Sequence, residues 1–595
     1  MEPGPADHEQ RRTPGGASGP ALFALALLVL LVSLSPWPAG SAHPLAVAVV
    51  TRAALVGALV VAAVATARGA VELPRVALWP LLGVAALGAL QCLPLPGAVH
   101  RVLAPGSWAV WHPIEPAAAA VLGQGPSPVS VHPTATARSL ALFVGVALLA
   151  LLAAPALRDR RWATRAAAVV VAGGVAVGLY GIVARVLFGP LLFGRFPVPT
   201  VSPFGPFVSK NHFAGYVAMA ALLGLGLATG LAEEARGRRG LLGWIESRRA
   251  ARVVAVYGAV AVMGLAVLVS LSRGGALSLL AGGLAFALLR ARSRAGARPI
   301  VAWGVGAAVG GAFLVGIALL PAGARERLAT VGAPGEDRSA SYRLAVWRDS
   351  VGLAATSPLV GIGLGAYADA LPRFKKGAGE LRVEHAENEY LELLAEVGAL
   401  GLGLAVLVLA ANGRGALRGV ERRHDRVLRG IWGGALAGAV AFLVHGLIDF
   451  SLRVPSNALL FAFLLSVLTG VGREVSPVPR PAAGGLVVAL GAALSVSVAV
   501  GPAERRGPAE AHPRLLVAGP TPLRARALEA SLVERVRRRP AEAESWLFLA
   551  WLRAVRGDPA GAASLARHAV SLDPRRTALR EAAARYGASA PRGDH

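Results

Sequence analysis

The amino-acid sequence predicts an all-α fold, a polytopic membrane bundle of about 12–13 transmembrane helices with a large loop and a helical hairpin beyond the last span. Three observations carry this reading. Of 595 residues, 55% are apolar and only 16% charged, with a mean hydropathy of +0.57, which excludes disorder and argues against a single soluble domain. Runs of about 18 or more mostly apolar residues recur along the chain, each long enough to cross a hydrocarbon core roughly 30 Å thick. The arginines, finally, concentrate in the short links between these runs.

Taken in order, the runs lie near 21–36, 45–67, 76–93, 139–156, 166–187, 212–231, 253–271, 274–289, 299–320, 390–410, 428–447, 456–472 and 483–500. A helix satisfies its own backbone hydrogen bonds in lipid, so each run is read as a helix. The first is short and is followed by Pro36 and Pro38. Four arginine clusters punctuate the runs: Arg158, Arg160, Arg161 and Arg165; Arg236, Arg238, Arg239, Arg248 and Arg249; Arg290, Arg292, Arg294 and Arg298; and Arg414, Arg418, Arg422, Arg423, Arg426 and Arg429. Counted from a cytoplasmic N-terminus, all four fall on one side, as the positive-inside rule requires. The net charge of +26 is therefore mostly topology, and a nucleic-acid partner is not expected. Arg11 and Arg12 precede the first run; with a dozen runs to follow, an uncleaved anchor is simpler than a twin-Arg or cleavable signal. Cys92 is the one cysteine, which leaves no intrachain disulfide and no thiolate metal cluster.

The same threading divides the chain into a cytoplasmic tail (1–20), a transmembrane domain (21–500) and a helical tail (505–595). The long loops 94–138, 188–211 and 321–389 lie outside with that tail. In a bacterium, which the Arg/Ala/Gly-rich composition suggests, outside is the periplasm. Within the large loop, "RSASYRLAVWRDSVGLAATSP" reads as an amphipathic helix ending before Pro358, with Ser339 or Ser341 as N-cap. Gly361-x-Gly363-x-Gly365 follows. No strand precedes it, so a dinucleotide-binding reading fails its context. In the tail, Trp546, Leu549 and Ala550 face Ala562, Leu565, Ala566 and Ala569 across a Gly557-Asp558-Pro559 turn, where a tetratricopeptide unit packs its helix pair. A helical hairpin that simply docks on the membrane domain fits the same pattern, and residues 521–540 are placed to supply a preceding helix.

Ionisable residues near the spans mark the candidate site, because each costs several kcal/mol in lipid unless it faces protein or water. In "VEHAENEYLELLAEVGALG", His385, Glu389, Glu392 and Glu396 follow helical spacing and are read as one face lining a polar cavity that opens outward, beside Glu387 and Asn388. A solvated helix start would account for Glu387 and Glu389 but not for Glu396 among Leu394, Val397 and Leu400. Lys210, Asn211 and His212 sit at the mouth of the sixth run, and Arg273 stands in a tight turn between two runs, where it either serves the site or snorkels to headgroups. His445, Asp449 and Arg453 form a further group, and Arg343 lies one turn from Trp347 on the loop helix. All fall on the outer face. Fixed cations beside a membrane suit a lipid-linked phosphate or pyrophosphate, and His385 suits proton abstraction from a hydroxyl. No set of His and carboxylate residues has metal-ligand spacing, so a transfer without metal or other cofactor is the economical reading.

Four stretches together resemble the O-antigen ligase and polymerase superfamily of bacterial inner-membrane glycosyltransferases. They are "GPFVSKNHFAGY" (205–216), "SLSRGG" (270–275), "YRLAVWRDSVGLAATSPLVGIGLGAY" (342–367) running on to "HAENEYLELLAEVGALG" (385–401), and "HGLIDFSLRVPSN" (445–457), so the likeness covers about 200–470. The resemblance implies a glycan donor on undecaprenyl pyrophosphate, an acceptor hydroxyl on a glycan, lipid or protein, and surface polysaccharide such as lipopolysaccharide as product. It implies Arg273 as a pyrophosphate ligand, Lys210 in the basic place before the Asn-His pair, and His385 as the loop His proposed as base. Many relatives read His-x-His-Asn where this chain has Glu387 before Asn388; if the second His is the acting one, Glu387 takes the base role. Lys210, Asn211, His212, Arg343, Asn388, Glu389, His445, Asp449 and Arg453 are expected to bind substrate. Ligase and polymerase share these motifs. A transporter or flippase of lipid-linked glycans is the alternative, but transporters concentrate polar groups near the midplane in repeated halves.

Overall fold

A computed structural model describes residues 18–69, 71–198, 202–235, 248–292, 338–376, 382–421, 423–472, 476–501 and 522–586. Helices α1 (Gly19–Leu34), α2 (Pro44–Ala67) and α3 (Arg75–Cys92) lead into three short helices, α4 (Gly97–Leu103), α5 (Pro105–Trp111) and α6 (Pro116–Leu122). Long helices α7 (Pro133–Ala153), α8 (Arg160–Phe188), α9 (Lys210–Ala235), α10 (Arg248–Val269) and α11 (Arg273–Arg292) follow. The loop helices α12 (Arg338–Ala355) and α13 (Tyr367–Ala370) precede α14 (Glu389–Glu421), α15 (Arg426–His445), α16 (Pro455–Gly472) and α17 (Arg480–Val500). The tail is α18 (Pro522–Arg538), α19 (Ala543–Val555), α20 (Pro559–Leu572) and α21 (Thr577–Ala584). Short 3-10 helices and two antiparallel pairs of two-residue strands, Glu72–Leu73 with Ser476–Pro477 and Pro94–Leu95 with Ser127–Pro128, lie between these helices.

Ten helices among the described residues are long and apolar enough to cross a membrane, and the chain is a multi-pass membrane protein. The runs expected at 21–36 and 76–93 form shorter apolar helices, the first ending before Pro36 and the second carrying Pro80. The run at 299–320 lies outside the described residues. Valines and leucines on α2, α8, α14 and α17 stay exposed, as lipid-facing side chains do.

Helix α9 is central, buried continuously from His212 to Gly230. It meets α15 through facing glycines. A Cβ at Gly226 would lie 2.2 Å from Gly430 O, and one at Gly430 2.4 Å from Gly226 O, so only glycine permits this approach. Such small-residue seams are how helices associate in lipid, where apolar burial alone gives little drive. At one end of α9, Arg160 Nη2 reaches Glu234 (2.6 Å), Arg426 Nη1 donates to Glu233 O (2.7 Å), and Arg290 pairs with Glu233. Cations there satisfy the last carbonyls and complement the helix dipole. The other end carries the candidate site.

Ser339 and Ser341, read as N-caps, lie inside α12. Helix α14 is interrupted at Gly398 (φ 64°, ψ −172°). The segment after Pro358 runs along this interruption. Ile362 N donates to Ala395 O (3.0 Å), Gly363 N to Glu396 O (3.0 Å) and Ala399 N to Pro358 O (2.8 Å). Gln91 Nε2 adds bonds to Val360 O and Glu396 O, each 2.7 Å. Carbonyls freed by the break are thus re-satisfied, as an apolar setting demands. The Gly361-x-Gly363-x-Gly365 run serves this packing: all three have positive φ, and a Cβ at Gly361 would lie 2.3 Å from Glu396 O.

The segment 94–132 is folded rather than open. His100 is buried between Ser127 Oγ (2.8 Å) and Ser107 Oγ (3.1 Å), and Trp111 Nε1 donates to Ser130 O (3.2 Å). Tail helices α18–α21 share a core of Trp546, Leu549, Leu565, Ala566 and Ala569, and Asp558 caps α20 through Gly561 N (2.8 Å). The tail docks on the loops: Arg539 Nη2 reaches Asp369 at 3.1 Å, and His132 Nδ1 bonds the same carboxylate.

Candidate functional site

The stretch 382–388 does not continue α14 backwards. Glu387 adopts a left-handed conformation (φ 54°), and Asn388 caps the helix, its Oδ1 accepting from Tyr390 N (3.0 Å) and Leu391 N (3.1 Å). Asn388 Nδ2 donates to Leu447 O (2.8 Å) and Glu389 N to Gly446 O (2.8 Å), which ties the helix start to the end of α15. The helix therefore begins at Glu389, and His385, expected on its face, sits in the irregular lead-in.

Glu389, Glu392 and Glu396 do share a face, and all three are buried. Arg453 fills the space. Its Nε donates to Glu389 Oε1 (3.1 Å) and lies 3.5 Å from Glu392 Oε1, and its Nη1 donates to Glu396 Oε2 at 2.5 Å. Leu452 N, Ala386 N and Tyr367 N occupy further oxygens of Glu389 (3.2 Å), Glu392 (2.8 Å) and Glu396 (3.3 Å). The physical reason is desolvation, because buried carboxylates persist only when paired and hydrogen-bonded. Burial opposes the Arg453 charge, yet Glu396, Glu392 and Glu389 outweigh it and hold the guanidinium above its ordinary pKa.

His385 joins the network from above. Its Nδ1 bonds Glu392 Oε1 (2.9 Å), and its ring stacks on Phe450 with centroids 4.0 Å apart. Among the described residues, nothing hydrogen-bonds its Nε2. Burial would lower the His385 pKa, but the charge and hydrogen bond of Glu392 reverse this and raise it above the ordinary value. Glu387 is also raised, first by burial and then by the Asp449 charge, against the pull of Arg343. Arg343 Nε lies 3.5 Å from Glu387 Oε2, and Trp347 Nε1 donates to Glu387 O (3.4 Å).

Phe450 separates His385 from His212, which meets the same ring edge-on at 4.8 Å. Asp449 accepts from His445 Nε2 (3.1 Å) and Ser451 Oγ, and His212 Nε2 lies 3.8 Å away. Burial would raise the Asp449 pKa, but His212, His445 and Ser451 hold it well below the carboxylate range. At the start of α9, Asn211 Oδ1 accepts from Ser272 Oγ (2.8 Å) in the tight turn at Leu271 (φ 55°). That turn sets Arg273 at the start of α11, and a Cβ on the next residue, Gly274, would lie 3.5 Å from His445 Cε1. Lys210 and Arg273 are half-buried.

Every expected site residue therefore lies at one end of the bundle. Asn211 and Ser272 join the α9 and α11 groups, His212 and Asp449 join α9 to the 446–454 turn, and Arg453 joins that turn to α14. Glu389 and Arg453, both expected to bind substrate, pair with each other. Ser272, Phe450 and Ser451 were not singled out from sequence; small hydroxyls and a phenyl ring among apolar neighbours carry no signal there.

Residues 258–406 match the family model of the O-antigen ligase, and this supports placing the chain in the O-antigen ligase and polymerase superfamily. The match runs from α10 through the break in α14, and so includes Arg273, Arg343, His385, Glu387 and the three buried carboxylates. No curated protein matches the chain.

Proposed function

We propose that this chain, with an O-antigen ligase segment at residues 258–406, transfers a glycan from undecaprenyl pyrophosphate to an acceptor hydroxyl. The reaction takes place at the periplasmic face of a bacterial inner membrane, as ligation or as repeat-unit polymerisation. The observation that carries this reading is His385: Glu392 holds its Nδ1, its Nε2 is left to accept a proton, and half-buried Lys210, Arg273 and Arg343 stand at the same end of the bundle. The acceptor oxygen attacks the anomeric carbon as His385 Nε2 takes its proton. The anomeric C–O bond breaks, and both electrons leave with the pyrophosphate, whose charge Arg273 and Lys210 offset. Glu387 is the second candidate base, and its partner Arg343 favours an orienting role instead. The Arg453 network is scaffolding that fixes α14 beneath His385. The tail, read as tetratricopeptide-like, serves docking to an assembly machine or a protein acceptor.

The test is a strain deleted for the gene, its surface glycans resolved by gel, with rescue by wild type, Arg273→Ala, His385→Ala and Glu387→Gln. Accumulated lipid-linked glycan, with expressed but inactive Arg273→Ala and His385→Ala, supports transfer. Single repeats on the carrier then indicate a polymerase, and full chains a ligase. Full rescue by both variants moves the transporter of lipid-linked glycans ahead.

A further inference from the structure

Helix α6 is attached to the rest of the molecule in the way a bound peptide is. Its buried side chains, Ala118 and Val121, belong to an apolar cluster whose other buried members all lie between Leu528 and Ala583 of the tail. On either side of it the chain meets solvent: Ile114 is fully exposed, and residues 123–126, which include Gly123 and Gly125, are exposed. The tail has its own core without α6, centred on Trp546 and Leu549.

The polar contacts sharpen this. Arg567 grips the Glu115 carboxylate with two bonds, Nε at 2.9 Å and Nη2 at 3.0 Å, and Ser564 Oγ donates a third at 2.9 Å. Ala117 N, a first-turn donor with no partner inside its helix, donates to Ser564 Oγ (3.2 Å). Val121 O, a last-turn acceptor, receives Arg537 Nε (2.9 Å). Side chains of α18 and α20 thus read a carboxylate, a free N–H and a free C=O, spaced by two helical turns. Two turns of helix are marginal alone in water, so α6 owes its form to this clamp.

We propose that Arg537, Ser564 and Arg567 form a peptide-binding site, occupied here by the chain's own Glu115–Leu122 segment. Its exchangeable ligand is a segment of another protein with the same chemistry, a carboxylate followed by two helical turns of small and branched apolar residues. The internal segment acts as a competitor whose effective concentration is about millimolar, as for short flexible tethers. This inference stands apart from the transfer chemistry, since none of its residues touches the His385 site.

The test uses the full chain in nanodiscs, with Cys92→Ala and a spin label at Ala120→Cys on the exposed side of α6. A capped synthetic peptide of the sequence Ile114–Gly123 is titrated in, alongside the same peptide with Lys in place of its Glu. The native peptide is expected to mobilise the label at millimolar concentration, and a fluorescent copy is expected to bind the Glu115→Lys chain about 10-fold more tightly than wild type. Arg567→Glu is expected to abolish binding of the native peptide and to admit the Lys peptide. The charge-exchanged chain, Glu115→Lys with Arg567→Glu, keeps the cis pair and controls for folding. A label indifferent to 10-fold excess over millimolar peptide, or equal response to both peptides, overturns the proposal.

Discussion

Replacing Arg453 with Met tests the network under the site most directly. The guanidinium meets Glu389 at 3.1 Å, Glu392 at 3.5 Å and Glu396 at 2.5 Å, all within the buried end of α14. Its loss leaves Glu389 and Glu396 without their cation and Glu392 with His385 alone. Removing one partner of a single buried pair costs about 3–5 kcal/mol, and here one deletion orphans two carboxylates and weakens the support of a third. The expected loss is therefore at the top of that range, about 5 kcal/mol or a few thousand-fold in the folding equilibrium at about 1.4 kcal/mol per factor of ten. A compensated variant separates charge from shape. Adding Glu389→Gln, Glu392→Gln and Glu396→Gln removes the orphaned charges, while the amide oxygens still accept from Leu452 N, Ala386 N and Tyr367 N. Thermal unfolding of a fluorescent fusion, followed by size exclusion in detergent, reads both. Arg453→Met should melt far below wild type, and the fourfold variant should recover most of the difference. If Arg453→Met melts with wild type, or the fourfold variant is no better than the single, the pairing argument is wrong.

Other outcomes follow from the same geometry. His385 titrates above its ordinary value of 6.5, and a base works only when neutral, so transfer should fall as pH drops through that raised value. Glu392→Gln should move this acid limb to lower pH, as read in a pH–rate profile on lipid-linked donor. In stability the sign is opposite: the His385–Glu392 pair contributes fully below about 6.5 and is lost as pH rises through the raised value. Gly361→Ala places a Cβ 2.3 Å from Glu396 O in a left-handed residue, and should cost at least about 2 kcal/mol in melting experiments. Arg273→Lys keeps the charge but loses the fork, so donor KM should rise while the melting temperature holds. Deleting residues 505–595 should alter product length or yield; unchanged glycans would remove the docking role of the tail.

The spans were legible because apolar length is a one-dimensional property, and α9 and α15 appear where hydropathy places them. The site groups were legible for the same reason in reverse, as charges where charge is expensive. Their pairing was not. Arg453 and Glu396 stand 57 positions apart, and nothing local distinguishes an arginine that meets pyrophosphate from one that pairs with buried glutamates. The start of α14 was missed because Glu387 takes a left-handed conformation that non-glycine residues seldom adopt. The break at Gly398 leaves no local mark in the sequence, since it depends on Pro358–Gly363 lying alongside. Helix α6, Pro-Ala-Ala-Ala-Ala-Val-Leu, carries little periodicity, and its contacts lie more than 400 positions away.

The interrupted α14 also bears on how the chain is assembled. Insertion machinery charges roughly 2.5–3.5 kcal/mol for an ionised residue at the centre of a nascent span, and α14 brings three carboxylates into its first part. When that span leaves the ribosome, Arg453 has not yet been synthesised. Until it is, the acidic end lacks its cation, whereas residues 399–411 beyond Gly398 carry no charge, and the break at Gly398 lies between the two parts. Arrival of the 446–454 turn supplies the missing cation to Glu389 and Glu396. The acidic face of α14 is thus completed by a residue 57 positions downstream of Glu396.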